Sequence, residues 1–142
     1  MRRICSQSEY FSYSRAEETV MEQAPLFERL GGREGLHALM ENIVANHFAN
    51  PTVCTRYENA KATREELVEG AFEFFCTGLS GVPTYTGLSL VDAHRGMNIS
   101  DQEFVSVIDD ILKAMNSRGV EQLEQAEALK ILWDMKPEIV GL

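Results

Sequence analysis

The sequence predicts an all-α domain. Apolar residues recur at steps of three and four along most of the chain, capping boxes open helices at Thr63 and Ser100, and no segment sustains the period-two alternation of a half-buried strand. A chain of 142 residues has the length of one domain, and 44% hydrophobic residues with four prolines supply enough apolar surface to close a core.

The elements follow in order. Residues 1–23 read as a flexible N-terminal extension ahead of a domain at 24–142. Arg2, Arg3, Ser6, Ser8, Ser12, Ser14 and Arg15 surround no apolar run, which excludes a secretory signal, and Glu9, Glu17 and Glu18 count against an organelle transit peptide. The expected compartment is cytoplasmic, with organellar targeting by residues 1–20 left open. Pro25 opens a short helix striped by Leu26, Phe27 and Leu30, which Gly31-Gly32 ends. Leu36, Leu39, Met40, Ile43, Val44, His47 and Phe48 form one face of a longer helix that stops at Asn50-Pro51. After a short stretch through Tyr57, the Thr63–Glu66 capping box starts a helix carrying Leu67, Val68, Ala71, Phe72, Phe75 and Leu79. Gly78, Gly81 and Pro83 break that pattern into a loop over 80–87. Leu90, Val91 and His94 share one helical turn before Gly96. Ser100–Glu103 opens a helix through Phe104, Val107, Ile108, Ile111, Leu112 and Met115, closed by Arg118-Gly119. A last helix from about Glu121 to Lys136 is expected to turn Leu123, Ala126, Leu129, Leu132 and Trp133 inward. Antiparallel packing of two helix pairs suits four such helices.

Charge and composition exclude several functions. Thirteen basic against twenty-two acidic residues give a net charge of −9, which repels phosphate backbones and anionic lipid surfaces, so neither nucleic acid nor membrane is a partner. No apolar run approaches the ~20 residues of a bilayer span. Cys5, Cys54 and Cys76 match neither a disulfide framework nor a zinc pattern. There is no G-x-S-x-G elbow and no phosphate-cradling loop, and Asp109-Asp110 reads as the outer face of its helix. Three histidines remain. His37 falls between stripe positions and reads as exposed. His47 lies on the stripe, where a core histidine bonded to a carbonyl is the ordinary outcome. His94 faces an apolar space, the setting an axial haem ligand needs, although a lone histidine at such spacing is more often structural.

The ordered set Leu26-Phe27-Glu28-Arg29-Leu30-Gly31-Gly32, Asn50-Pro51, Tyr85-Thr86-Gly87 and Ala93-His94-Arg95-Gly96-Met97-Asn98-Ile99 with Phe104 resembles a truncated haemoglobin, most similar to group I. The resemblance runs from about Ala24 to Pro137. It implies a two-over-two α-helical sandwich holding haem b (iron protoporphyrin IX), with His94 as the proximal metal ligand. Leu90, Met97, Ile99, Phe104 and Val107 would line the proximal side, and Leu67, Val68, Phe72, Phe75 and Tyr57 would complete the cofactor's surroundings. Arg95, with Arg64, Thr84 and Tyr85, would meet the propionates. The implied partners are a diatomic gas (O2, CO or NO) and an unidentified reductase, with the chain a monomer, in roles of oxygen binding and transport, gas sensing or NO handling.

The distal positions depart from that family. Group I members place a tyrosine in the second helix and a glutamine on the distal helix, where they donate hydrogen bonds to bound oxygen. The matching positions here are Val44 and Ala71, with Leu67 at the gate and Tyr57 as the nearest donor. One lost buried donor costs about 1–3 kcal/mol. Oxygen is then held about 5- to 150-fold more weakly than in a tyrosine-bearing relative, with CO and NO less affected. NO dioxygenase turnover is disfavoured by such a pocket. A haem-free globin fold serving as an interaction module is the alternative reading.

Overall fold

The computed structural model of the chain describes residues 24–142. The extension read over residues 1–23 lies outside the described residues. Pro25 sits just ahead of α1 (Leu26–Arg29), its carbonyl accepting the N–H groups of Glu28 and Arg29 at 3.0 and 3.1 Å. Gly31 and Gly32, at φ 91° and 62°, then turn the chain into α2 (Gly32–Ala49). Gly35 lets this crossing close, since a Cβ there would lie 2.2 Å from the Leu30 carbonyl oxygen.

Both capping boxes form. The Glu66 N–H donates to Thr63 Oγ1 at 3.2 Å and the Thr63 N–H to the Glu66 carboxylate at 2.8 Å, fixing the start of α3 (Arg64–Ser80). A single turn, α4 (Leu90–His94), is capped by Ser89, whose Oγ accepts the Asp92 N–H at 3.1 Å. Ser100 and Glu103 repeat the box at the head of α5 (Asp101–Ser117) with distances of 3.2 and 2.8 Å. The chain continues in α6 (Gln122–Met135) and a 3₁₀ turn over Lys136–Glu138, where Pro137 cannot continue the α-helix. Helix α2 packs against α3 and α5, and α5 against α6, stacking the helices as the two-over-two sandwich expected. The core joins Leu36, Leu39, Met40 and Ile43 of α2 to Val68, Phe72 and Cys76 of α3 and Ile111, Ala114 and Met115 of α5. Leu36 and Met115, each 1% exposed, contribute about 1.5–3 kcal/mol apiece by leaving water.

Helix α6 is rotated from the expected face. Of the residues expected inward, Leu132 packs against the core, while Leu123, Leu129 and Trp133 stay 45%, 37% and 49% exposed and Ala126 is exposed. The cause is an ion pair. Glu124 turns inward to Arg29 of α1, so the inward face is Glu124, Ala128, Ile131, Leu132 and Met135. That stripe has helical spacing too, but its first member is charged.

The segment between α4 and α5 is pinned by the C-terminus. Asn98 donates its N–H to the Leu142 carbonyl at 2.7 Å, and Gly141 donates to Ile99 at 2.9 Å, within a single parallel bridge between Ile99 and Val140. Gly96 at φ 83° lets the backbone reverse directly after His94. This short stretch is thereby tethered to the C-terminal residues.

Candidate functional site

A cavity of about 540 Å³ opens between α2, α3, α4 and α5, and its wall is overwhelmingly apolar. Its volume lies in the range of about 300–1,000 Å³ that holds a small organic ligand. The helical stripes explain the lining. Val44 comes from α2, Leu67, Ala71 and Phe75 from α3, Leu90 and His94 from α4, and Phe104 and Val107 from α5, with Tyr57, Met97 and Ile99 on the connecting segments.

His94 ends α4, half-buried. Its Nδ1 lies 2.7 Å from the Leu90 carbonyl oxygen, four residues back along the same turn. A carbonyl can only accept, so Nδ1 carries the proton in the neutral ring and Nε2 keeps its lone pair. This is the orientation that an axial metal ligand requires, because the other ring nitrogen is anchored and the tautomer is fixed.

Three expected contacts fall elsewhere. Val68 and Phe72 are buried on the far side of α3 against α2, where Phe72 meets the edge of His37 at 4.9 Å and the Arg33 guanidinium at 4.7 Å. Helical geometry places them about 100° from Leu67 and Ala71, so one stripe serves the core and its neighbour serves the cavity. Phe74 takes the wall position expected of Phe72. Arg95 points away from the cavity and pairs with Asp92 at 3.1 Å. Among the other rim candidates, Arg64 lies over the Phe48 ring and Thr84 bonds to Thr77 and Glu73, whereas Tyr85 lines the cavity and donates its hydroxyl to the Leu88 carbonyl at 2.9 Å.

The polar part of the wall comes mostly from residues that periodicity does not single out, Arg56 and Glu103, with His47 the exception on the α2 stripe. Arg56 donates to the Glu103 carboxylate at 2.6 and 2.9 Å and to the Met97 carbonyl at 2.8 Å, and all three residues line the cavity. The Arg56 guanidinium is the largest cause, followed by the Ser100 backbone N–H, that holds the Glu103 carboxyl at about 2. His47, expected to bond a carbonyl, instead places Nδ1 2.9 Å from Asp110 Oδ2, and both residues are 7% exposed. Asp110 is thus an inward residue, not part of an outer acidic face. It also accepts Asn50 Nδ2 at 3.0 Å, and that amide reaches Ser106 Oγ at 2.9 Å. Tyr57 lies parallel to Phe48 at 5.0 Å and to His47 at 6.4 Å. Burial, and then the charge of Asp110, push its phenol upward, so the hydroxyl stays protonated. His37 is half-buried and bonds Glu69 at 2.6 Å. Cys76 is buried and Cys54 half-buried. No cluster of three or more metal-ligating side chains occurs among the described residues, and no described helix is long and apolar enough to cross a membrane.

A helical sandwich closed around an apolar cavity, with the anchored imidazoles of His94 and His47 on its wall, defines a globin-type pocket. The chain belongs to the bacterial-like globin family, whose model matches residues 25–140. It is similar to a group 1 truncated hemoglobin of Tetrahymena thermophila, with 27% identity over 84% of this chain and 97% of that protein. A group 1 truncated hemoglobin of Mycolicibacterium paratuberculosis is 28% identical over 83% of this chain and 85% of its own. Among solved structures, the Fe(III) form of the truncated hemoglobin of Tetrahymena pyriformis superposes with a TM-score of 0.78 at 22% identity, covering 84% of this chain and all of that one. Membership of the globin family implies a haem and a gas ligand.

The residues present fit that cofactor. A flat macrocycle that supplies four of the iron's ligands needs one further side chain from the protein, and His94 is held in the matching tautomer. Leu67, Phe75, Phe104 and Val107 line the cavity and would supply apolar contact for the ring, and Arg56 is the cation on the cavity wall. The residues that sequence reasoning missed, Arg56, Phe74, Glu103, His47 and Asp110, are recognisable in the structure by their long-range partners or wall positions.

Proposed function

We propose that this chain binds haem b in the 540 Å³ cavity through His94 and reversibly binds diatomic gases, with CO and NO favoured over O2. The haem supplies the iron to which the gas binds. The observation that carries the reading is the hydrogen bond from His94 Nδ1 to Leu90, which leaves Nε2 as a free lone pair on a residue of the cavity wall. The protein contributes position, polarity and exclusion of water. Leu67, Val44 and Ala71 cannot donate a hydrogen bond, and the Tyr57 hydroxyl, which makes no bond to the described residues, is the donor nearest in kind to those of group I relatives. In this reading oxygen dissociates readily. The chain acts as a gas-binding monomer in oxygen handling, sensing or NO chemistry, and an external reductase keeps its iron ferrous.

Reconstitution with hemin tests the proposal. The full chain should develop a Soret band that sharpens and shifts with CO after reduction, and His94→Ala should lose it or convert it to the spectrum of loosely held haem. A protein that takes up no haem, and serves instead as a haem-free interaction module, would overturn the reading.

A further inference from the structure

His47, backed by Asp110, places a buried polar edge on the same cavity. His47 is 93% buried, lines the wall one helical turn beyond Val44, and spends Nδ1 on Asp110. A carboxylate only accepts hydrogen bonds, so in the neutral ring Nδ1 bears the proton and Nε2 the lone pair. Among the described residues Nε2 has no hydrogen-bond partner, and it is not among the sealed, unpaired buried atoms, so it meets open space.

We propose that His47, backed by Asp110, is the base of this cavity and takes the proton from small weak acids HX, such as hydrogen cyanide, hydrogen azide or hydrogen sulfide. Carrying an anion into an apolar cavity is costly, so these ligands enter as neutral molecules. To bind a ferric iron as X⁻ they must leave a proton behind. The H–X bond breaks, its electron pair stays on X⁻, the proton passes to His47 Nε2, and the imidazolium is opposed by the Asp110 carboxylate. Nothing is oxidised or reduced. This inference rests on the haem reading above.

The neighbouring titratable groups are otherwise engaged. Asp110 of α5 faces His47 directly, and Tyr57 lies beside it with its phenol pushed upward, which makes it a donor and not a base. Of the remaining charged cavity residues, Glu66 caps α3, and Arg56 and Glu103 hold each other. His94 would hold the iron in the haem reading. Asn50 and Asn46 fix Asp110 through its carboxylate and its backbone carbonyl, both at 3.0 Å, so the pair is oriented before any ligand arrives.

The test compares a protic with an aprotic ligand in the full chain loaded with haem. His47→Leu should slow cyanide association with the ferric protein about 100-fold, the scale on which a positioned base acts, and Asp110→Asn should slow it by less. CO association with the ferrous protein should change far less than cyanide association in both, because CO brings no proton. A solvent deuterium isotope effect on cyanide binding should appear in the parent and vanish in His47→Leu. Unchanged cyanide rates with intact CO binding would overturn the base, whereas absence of a Soret band would overturn the haem reading instead. If the variants fail to fold, ¹⁵N spectra of the unsubstituted chain decide: a His47 ring protonated at Nδ1 supports the proposal, and one protonated at Nε2 ends it.

Discussion

Arg56 and Glu103 face each other across the mouth of the cavity through two parallel hydrogen bonds of 2.6 and 2.9 Å, one partner from the connection after α2 and the other from the first turn of α5. A third bond from Arg56 to the Met97 carbonyl ties the same side chain to the segment that follows His94. The two walls that would flank a haem are therefore joined at one point, outside the hydrophobic core.

This clasp should be visible in acid. The Glu103 carboxyl is held at about 2 against an ordinary 4.5, so its contribution to stability is complete above pH 4.5 and is lost as pH falls towards 2. Glu103→Gln keeps a side chain able to cap Ser100 while removing the charge that Arg56 grips. Equilibrium denaturation followed by circular dichroism should show the unsubstituted protein losing more stability between those pH values than Glu103→Gln. In the haem-loaded protein, transfer of haem to an acceptor globin should be faster for Arg56→Ala at neutral pH. Equal transfer rates would show that the clasp does not retain the cofactor.

Ala71 gives the most direct test of distal polarity. It lies half-buried on α3, lining the cavity and packed against the edge of the core. Ala71→Gln introduces an amide donor on a helix that tolerates glutamine. A new hydrogen bond of about 1–3 kcal/mol should slow oxygen dissociation roughly 5- to 150-fold. Stopped-flow displacement of oxygen should show that slowing, with CO dissociation changed far less. Equal effects on the two gases would indicate altered access rather than a donor.

What was legible in the sequence is what local chemistry encodes. The Thr63 and Ser100 caps, the glycine turn at Gly31-Gly32 and the core stripes of α2, α3 and α5 depend on residues within a turn of one another, and they formed where spacing placed them. Asp110 shows where this stops. Its neighbour Asp109 is exposed, and only the distance of 63 residues to His47 reveals that one acid of the pair faces inward. The same holds for α6, whose two candidate stripes differ in whether Glu124 is counted as inward, a choice made by Arg29 at the other end of the chain. Asp110 and Glu124 are brought inside by distant partners, which periodicity cannot register.

Arg29 should accordingly matter more than its surface position in the sequence suggests. It donates to Glu124 at 2.5 Å and to Glu127 at 2.6 Å, which fixes α1 against α6, and its bond to Glu124 is the largest cause lowering that carboxyl. The other Glu124 oxygen is buried without a partner, so removing the arginine leaves a charge with little solvation on either side. Arg33 offers the comparison, because its pair with Glu73 lies on an open surface with the arginine side chain 55% exposed. Arg29→Met should lower the midpoint of urea denaturation clearly, Arg33→Met should barely move it, and Arg29→Met combined with Glu124→Leu should recover most of the loss by removing the unpaired carboxylate. If the double variant is no more stable than Arg29→Met alone, the cost lies in lost packing between α1 and α6 and not in the buried charge.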